Sequence, residues 1–204
     1  MTHPTITLIE KRVSANLFDP SHTLPAADIE RLVGLATRAP TAYNLQNWRF
    51  IAVQSPEAKA RLRAIAYGQK KVSDAAVTFI LCGRLPDAAT LPDRLRPFIQ
   101  AGFMPPAMAD AWREGADTQY GGSQAARDEA LRSATFGAAT LIYAAEALGL
   151  SSSAIVGFDP DALREEFSLE PDEIPALLVA VGRAAEGNWP QKPRRPVSEV
   201  LDIL

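Results

Sequence analysis

Cysteine is almost missing from this chain. Cys82 is the only one among 204 residues, which excludes an intrachain disulfide framework and favours a reducing compartment. It sits in the apolar run Val77-Thr-Phe-Ile-Leu-Cys-Gly83 with no histidine near it in sequence, so it reads as a small buried hydrophobe and not as a nucleophile. Histidine is scarce too: His3 and His22 have no metal-ligand spacing with Cys82 or with acidic residues, and no metal site is expected. A glycine-rich dinucleotide fingerprint is missing, which argues against a Rossmann dehydrogenase. No single sign of charge dominates, since 24 acidic against 21 basic residues leave a net −3 and the densest basic cluster is only Lys192-Pro-Arg-Arg195. A nucleic-acid partner that needs a broad basic field is therefore not expected. Long apolar runs are lacking as well. The longest weakly polar region, Ala134 to Leu150, is interrupted by Glu146 and falls short of a membrane span, and the N-terminus has no sustained apolar core of the signal-peptide kind. A soluble cytoplasmic protein is expected, with residues 1–204 forming one domain, because this length and a 47% hydrophobic content suit a single substantial core.

What is present alternates helical and extended patterns. Thr5 to Arg12 reads as a short helix, and a second helix runs through Arg38 with Ile29, Leu32, Val33 and Ala36 as its apolar face. Ser55-Pro-Glu57 is a helix start, with a capping hydroxyl, a proline in the first turn and an acid at the positive end. Ala75 to Gly83 reads as a buried strand. Residues 84–122 hold five prolines, which divide them into short helices or loops, with Ala107 to Glu114 the clearest helical piece. Phe98, Phe103, Met104, Trp112 and Tyr120 in this excursion would either wall a ligand site or anchor the excursion to its own domain. Ser123 to Leu148 is the longest helical pattern and is broadly apolar, so other elements should enclose it. Leu150 to Phe158 returns to the sheet, Asp159-Pro-Asp161 starts another helix, and Pro175 to Gly182 is a further buried strand. The end of the tail, Val-Leu-Asp-Ile-Leu204, is apolar enough to dock on protein.

The chemistry concentrates in Arg38-Ala-Pro-Thr-Ala-Tyr-Asn-Leu-Gln-Asn-Trp-Arg-Phe-Ile-Ala-Val53, which passes from helix through a polar loop into a strand. Pro40 stops the helix. Asn44 and Gln46, fixed by an element at each end, could recognise a flat polar ligand, since an amide offers both donors and an acceptor; otherwise they satisfy loop backbone. Arg12, flanked by Ser14 and Asn16, has the chemistry to hold a phosphate bidentately, although such a triad is also ordinary surface composition.

Arg12-Val-Ser-Ala-Asn16, Ala39-Pro-Thr-Ala-Tyr-Asn-Leu-Gln-Asn-Trp48, Ala66-Tyr-Gly-Gln-Lys-Lys-Val72, Ala154-Ile-Val-Gly-Phe-Asp159, and Gly182-Arg183 followed by Pro193-Arg-Arg-Pro-Val-Ser-Glu-Val200 span nearly the whole chain. Their order and spacing resemble the nitroreductase family of flavin enzymes, of the compact bacterial NAD(P)H-dependent type. The resemblance implies an α+β, nitroreductase-like fold with a mixed, mainly antiparallel sheet flanked by helices. It further implies a homodimer with FMN at the subunit interface, and an excursion at 84–122 near the active site. Carried over residue by residue, Arg12, Ser14 and Asn16 would hold the phosphate and ribityl end, with Arg194 closing on the phosphate. Asn44 and Gln46, reached from the other subunit, would meet the ribityl chain or the ring edge. Backbone around Ile155, Val156 and Gly157 would lie over the flavin, with Thr41 and Gln69 making nearby contacts. Family members often have a basic residue where this chain has Asn16, and proline where it has Asn47; Arg195 competes with Arg194 for the matched position. The implied activity is hydride transfer from NADH or NADPH to FMN and on to a nitroaromatic or quinone-like acceptor, with no protein nucleophile and no catalytic acid assigned. Reduction of small carbonyl or unsaturated compounds and a non-enzymatic flavin-binding sensor or storage role are the alternatives.

Overall fold

A computed structural model describes residues 3–204. Four strands form one sheet: β1 (Trp48–Val53), β2 (Val77–Arg84), β3 (Ser151–Ile155) and β4 (Glu173–Gly182), in the order β1-β2-β4-β3. All three neighbouring pairs are antiparallel, and the parallel component is a single bridge between Ser14 and Ser152 at the β3 edge. β2 and β4 are central because their residues are apolar on both faces. Val77, Phe79, Leu81, Val179 and Val181 point to one face, where they meet helices α2 (Ala26–Ala36) and α7 (Ser123–Ala147). Ile80, Cys82, Leu178 and Ala180 point to the other, towards α3 (Pro56–Ile65), α4 (Lys70–Asp74) and α8 (Pro160–Glu166). This is the period-two alternation of a strand covered on both sides. Burial pushes the Cys82 thiol up to about 12, with the nearby Glu173 charge adding to it, so the group is inert as a nucleophile at neutral pH.

Local sequence accounts for the element ends. Ser55 Oγ accepts from Ala58 N at 3.2 Å at the start of α3, and Asp159 Oδ1 accepts from Asp161 N and Ala162 N at 3.0 and 3.1 Å at the start of α8. α7 closes at Gly149, whose φ of +75° lies in the left-handed region. The helix lies hard against the sheet: a Cβ on Gly83 would sit 2.0 Å from the Ala130 carbonyl oxygen, and one on Gly137 would sit 3.0 Å from Phe50 Cζ. Gly137 therefore makes room for a strand side chain and not for another helix.

Several boundaries differ from the sequence expectation. α1 spans Pro4–Lys11, and α2 stops at Ala36 instead of continuing through Arg38. In the excursion, Pro92 and Pro106 occupy first turns of α5 (Leu91–Gln100) and α6 (Pro106–Tyr120), where a missing N–H costs nothing, and Pro97 lies inside α5. The two helices build a satellite core from Leu91, Leu95, Met104, Ala109, Ala116 and Tyr120, which Leu45 joins. Met104 and Tyr120 thus anchor the excursion, whereas Phe98 and Phe103 stay exposed with their rings 5.2 Å apart.

Candidate functional site

Arg12 ends α1, its N–H donating to Leu8 O at 3.0 Å. The chain then runs beside β3: Ser14 bridges Ser152, and Ala15 N donates to Ser152 O at 2.9 Å. The C-terminal tail returns to the same place. Gln191 Nε2 donates to Arg12 O at 2.9 Å, and Arg194 Nη2 donates to Gln191 Oε1 at 2.9 Å. The two segments enclose a cavity of about 160 Å³ whose walls include Ser14, Asn16, Gln191, Lys192 and Arg194. Arg12 Nη1 reaches Ser14 Oγ at 3.5 Å. Arg195 turns away and pairs with Glu199 at 3.0 Å, so the geometry separates the two neighbouring arginines and leaves Arg194 in the cavity wall.

A further cation stands here that sequence reasoning passed over. Lys71, on α4, donates from Nζ to Ser153 Oγ at 3.2 Å, and burial holds its ammonium below the usual lysine range, with repulsion from Lys192 acting in the same direction. Among the described residues, none of Arg12, Lys71, Lys192 and Arg194 has a carboxylate within ion-pair distance. Four cations gathered without an acidic partner form a site poised for an anion. Lys71 lies in the matched segment Ala66–Val72, and the signal was its position beside Gln69.

Gln69 caps α4, and its Nε2 donates to Ala66 O at 3.0 Å and Gly157 O at 2.8 Å. Both amide hydrogens are thereby spent on backbone, and the side chain ties the turn before α4 to the loop after β3. In that loop Ile155 is buried, while Val156 is 78% exposed and forms an open apolar step. Gly157 follows it, where a Cβ would come to 3.4 Å from Gln69 Nε2.

The loop before β1 is built differently. Tyr43, Asn44 and Gln46 have φ of +51°, +57° and +46°, a conformation that costs each non-glycine residue of the order of 1–3 kcal/mol and is kept where packing enforces it. Leu45 is fully buried between them. Tyr43 Oη donates to Gln119 Oε1 at 3.0 Å, and its ring lies edge-on to Trp112 and Tyr120, so α6 braces the loop. Within it Gln46 N donates to Thr41 Oγ1 at 3.0 Å and Gln46 Nε2 to Asn44 Oδ1 at 3.2 Å, and Asn44 is exposed. Asn47 forms an amide clasp: its Nδ2 donates to Arg84 O at 2.7 Å while its backbone oxygen accepts from Arg84 N at 2.8 Å. The β1–β2 ladder is thereby extended by one step.

One chain brings Arg12, Ser14, Asn16 and Arg194 together, with Gln69, Ile155, Val156 and Gly157 on the same sheet edge. It does not bring Thr41, Asn44 and Gln46 to them. The latter precede β1, at the opposite edge of the sheet, and three strand spacings of ~4.8 Å put the two edges about 14 Å apart.

The nitroreductase family model matches residues 9–183. The chain is 28% identical over 200 residues to the candidate NAD(P)H nitroreductase YodC of Bacillus subtilis, covering 98% of each. It is 31% identical over 181 residues to the NADH dehydrogenase of Thermus thermophilus, covering 87% of this chain and 85% of that one. A nitroreductase candidate from Exiguobacterium sibiricum, solved in complex with FMN, superposes with a TM-score of 0.90 at 24% identity over 100% of this chain and 99% of that one. The matched span runs from α1 to the end of β4 and takes in every element of the divided site except the returning tail, and on this match the chain belongs to the nitroreductase family.

Proposed function

We propose that the chain is an FMN-dependent oxidoreductase that takes electrons from NADH or NADPH and passes them to nitroaromatic or quinone-like acceptors, acting as a cytoplasmic homodimer. The observation that carries this reading is a set of cations without a carboxylate partner among the described residues: Lys192 and Arg194 line the cavity with Ser14 and Asn16, Arg12 reaches Ser14, and Lys71 donates to Ser153 on β3. Its charge and donors fit a phosphate monoester, and the FMN complex of the Exiguobacterium sibiricum neighbour has the same fold.

Bound FMN supplies the hydride chemistry that no side chain of this protein provides. The chain's own residues bind, orient and shield. Arg12 and Arg194 give forked donors to the phosphate, and the two lysines add point charge. The Val156–Gly157 backbone, held by Gln69, presents a surface to the ring system. Asn44 and Gln46 come from the second copy and offer amide groups to the ribityl chain or ring edge, with Thr41 holding their loop.

The second copy is also supported by the surface. α1 buries no side chain in its own protomer, and Ile6, Ile9, Phe136 and Tyr143 are exposed. So are Val197, Val200, Leu201, Ile203 and Leu204 of the tail. Apolar exposure on this scale marks an interface. Residues 1–204 then act as one FMN-binding unit, with the 84–122 excursion lending its exposed Phe98–Phe103 pair to the neighbourhood of the active site. No helix among the described residues is long and apolar enough to cross a membrane.

Anaerobic spectroscopy of the purified, FMN-reconstituted protein tests the reading. Bleaching of the flavin band by NADH or NADPH, reversed by a nitroaromatic or a quinone, is the expected result. Bound flavin that neither nucleotide reduces would leave a flavin carrier and no reductase.

A further inference from the structure

The tail that carries Arg194 has little to hold it. Every residue from Trp189 to Leu204 is exposed on the protomer, so hydrophobic burial within the chain cannot fix the guanidinium over the cavity. Arg194 Nη1 donates to the Lys192 backbone oxygen at 3.0 Å within the tail itself, and two amide side chains tie the tail to the rest of the chain. Asn188 Oδ1 accepts from Asn16 N at 2.7 Å and from Leu17 N at 3.0 Å, and Asn188 Nδ2 donates to Leu17 O at 2.8 Å and Ala185 O at 2.9 Å. The amide is fully satisfied, by backbone of Asn16 and Leu17, 172 and 171 residues away in sequence, and of nearby Ala185. Gln191 repeats the device further along the tail, donating to Arg12 O at 2.9 Å and accepting from Arg194 Nη2 at 2.9 Å. The backbone oxygen of one arginine is thus linked through a single glutamine to the guanidinium of the other.

We infer that Asn188 and Gln191 are positioning residues that set the chain's preference for a phosphorylated flavin over an unphosphorylated one, by holding the Arg12–Asn16 segment and the Arg194 tail at the separation a phosphate requires. The inference rests on the FMN reading above. Neither amide is needed to contact the phosphate. Asn188 closes the cradle by pinning the segment that bears Ser14 and Asn16 to the root of the tail, and Gln191 aims Arg194 by occupying one face of its fork. The clasp joins two segments of the same chain, so the phosphate half of the site is complete within one protomer, whereas the ring half waits for the second copy.

The experiment is equilibrium binding of FMN and of riboflavin to the deflavinated full-length protein, followed by flavin fluorescence, for the parent chain, Asn188→Leu and Gln191→Leu. The parent should bind FMN far more tightly than riboflavin. Each variant should raise the Kd for FMN about tenfold or more, the cost of a misplaced charge-assisted contact, while the Kd for riboflavin moves by less than about twofold. Gln191 lies in the exposed tail, so its variant keeps the test standing if Asn188→Leu folds poorly, and Gln191→Asn, too short to reach Arg12 O, should behave as Gln191→Leu does. Equal loss of both flavins would make the clasp merely structural and overturn the inference, as would unchanged FMN affinity. A parent chain that binds neither flavin would instead overturn the FMN reading from which the inference starts.

Discussion

At the scale of the residue, the clearest contrast lies between two adjacent arginines. Arg194 lines the cavity and is steered by Gln191, while Arg195 is occupied by Glu199. Arg194→Ala should weaken FMN binding by about 1.5–3 kcal/mol, roughly ten- to hundredfold in Kd, as loss of a charged hydrogen-bond partner does. Arg195→Ala should change it by less than about threefold, since an exposed ion pair is worth little; isothermal titration with FMN compares the two. Lys71 gives a pH signature. Its folded-state pKa lies below the usual lysine value, so the charged form is penalised in the free protein, fully below that folded value, and the penalty fades as pH rises through it towards 10.5. A bound phosphate favours the charged form and opposes the shift. FMN affinity should therefore fall as pH rises through that lowered value towards 10.5, and the fall should be shallower in Lys71→Met. An equal slope in both proteins would remove Lys71 from the site. The sequence showed Arg12, Ser14, Asn16 and Arg194 because they are conspicuous polar residues in matched segments. It could not show Asn188 and Gln191, whose role exists only once residues far apart in the chain have been brought side by side.

At the scale of the element, legibility followed local chemistry. Ser55-Pro56-Glu57 and Asp159-Pro160-Asp161 announce helix starts through groups that act within four residues, and both do so in the structure. α4 was hidden because five residues cannot display a period, and because the turn before it depends on left-handed Tyr67 and Gly68 at φ of +54° and +74°. In the excursion Ala107 to Glu114 lies within α6 as expected, whereas α5 was hidden because Pro92 and Pro97 suggest a break, although Pro92 sits in the first turn of a helix. α7 buries one face under α2 and the sheet and leaves Phe136 and Tyr143 exposed on the protomer, and its small residues face the sheet. Gly137→Leu should accordingly displace Phe50 and Trp48 and cost about 1–3 kcal/mol, the usual penalty of overpacking. Gly83→Ala should cost more, because the atom its methyl would strike is the Ala130 backbone oxygen at 2.0 Å and no rotamer relieves it. Urea unfolding of the two variants orders them, and a Gly83→Ala protein as stable as the parent would show that α7 sits further from β2.

At the scale of the whole molecule, the arrangement of the strands governs function. The order β1-β2-β4-β3 places the loop bearing Asn44 and Gln46 on one edge and the cationic cradle on the other. On the proposed dimer reading the two edges carry two half-sites, which a two-fold pairing would turn into two whole sites. Leu201→Asp and Ile203→Asp, which put charge on the exposed apolar tail, should shift the protein towards monomer in sedimentation and lower FMN occupancy with it. The family resemblance implied this division from the sequence, while the distance across the sheet, on which it depends, is visible only in the fold.

A mixed dimer tests the divided site most directly. One copy would carry Arg12→Ala and Arg194→Ala, the other Asn44→Ala and Gln46→Ala, with different affinity tags so that the hybrid can be isolated and its FMN counted. If each site takes its cradle from one copy and its amides from the other, the hybrid contains one intact site and should bind one FMN per dimer as tightly as the parent, although both homodimers bind it weakly. If each site lies within one chain, both sites of the hybrid are damaged, and a hybrid that binds no FMN tightly would contradict the account.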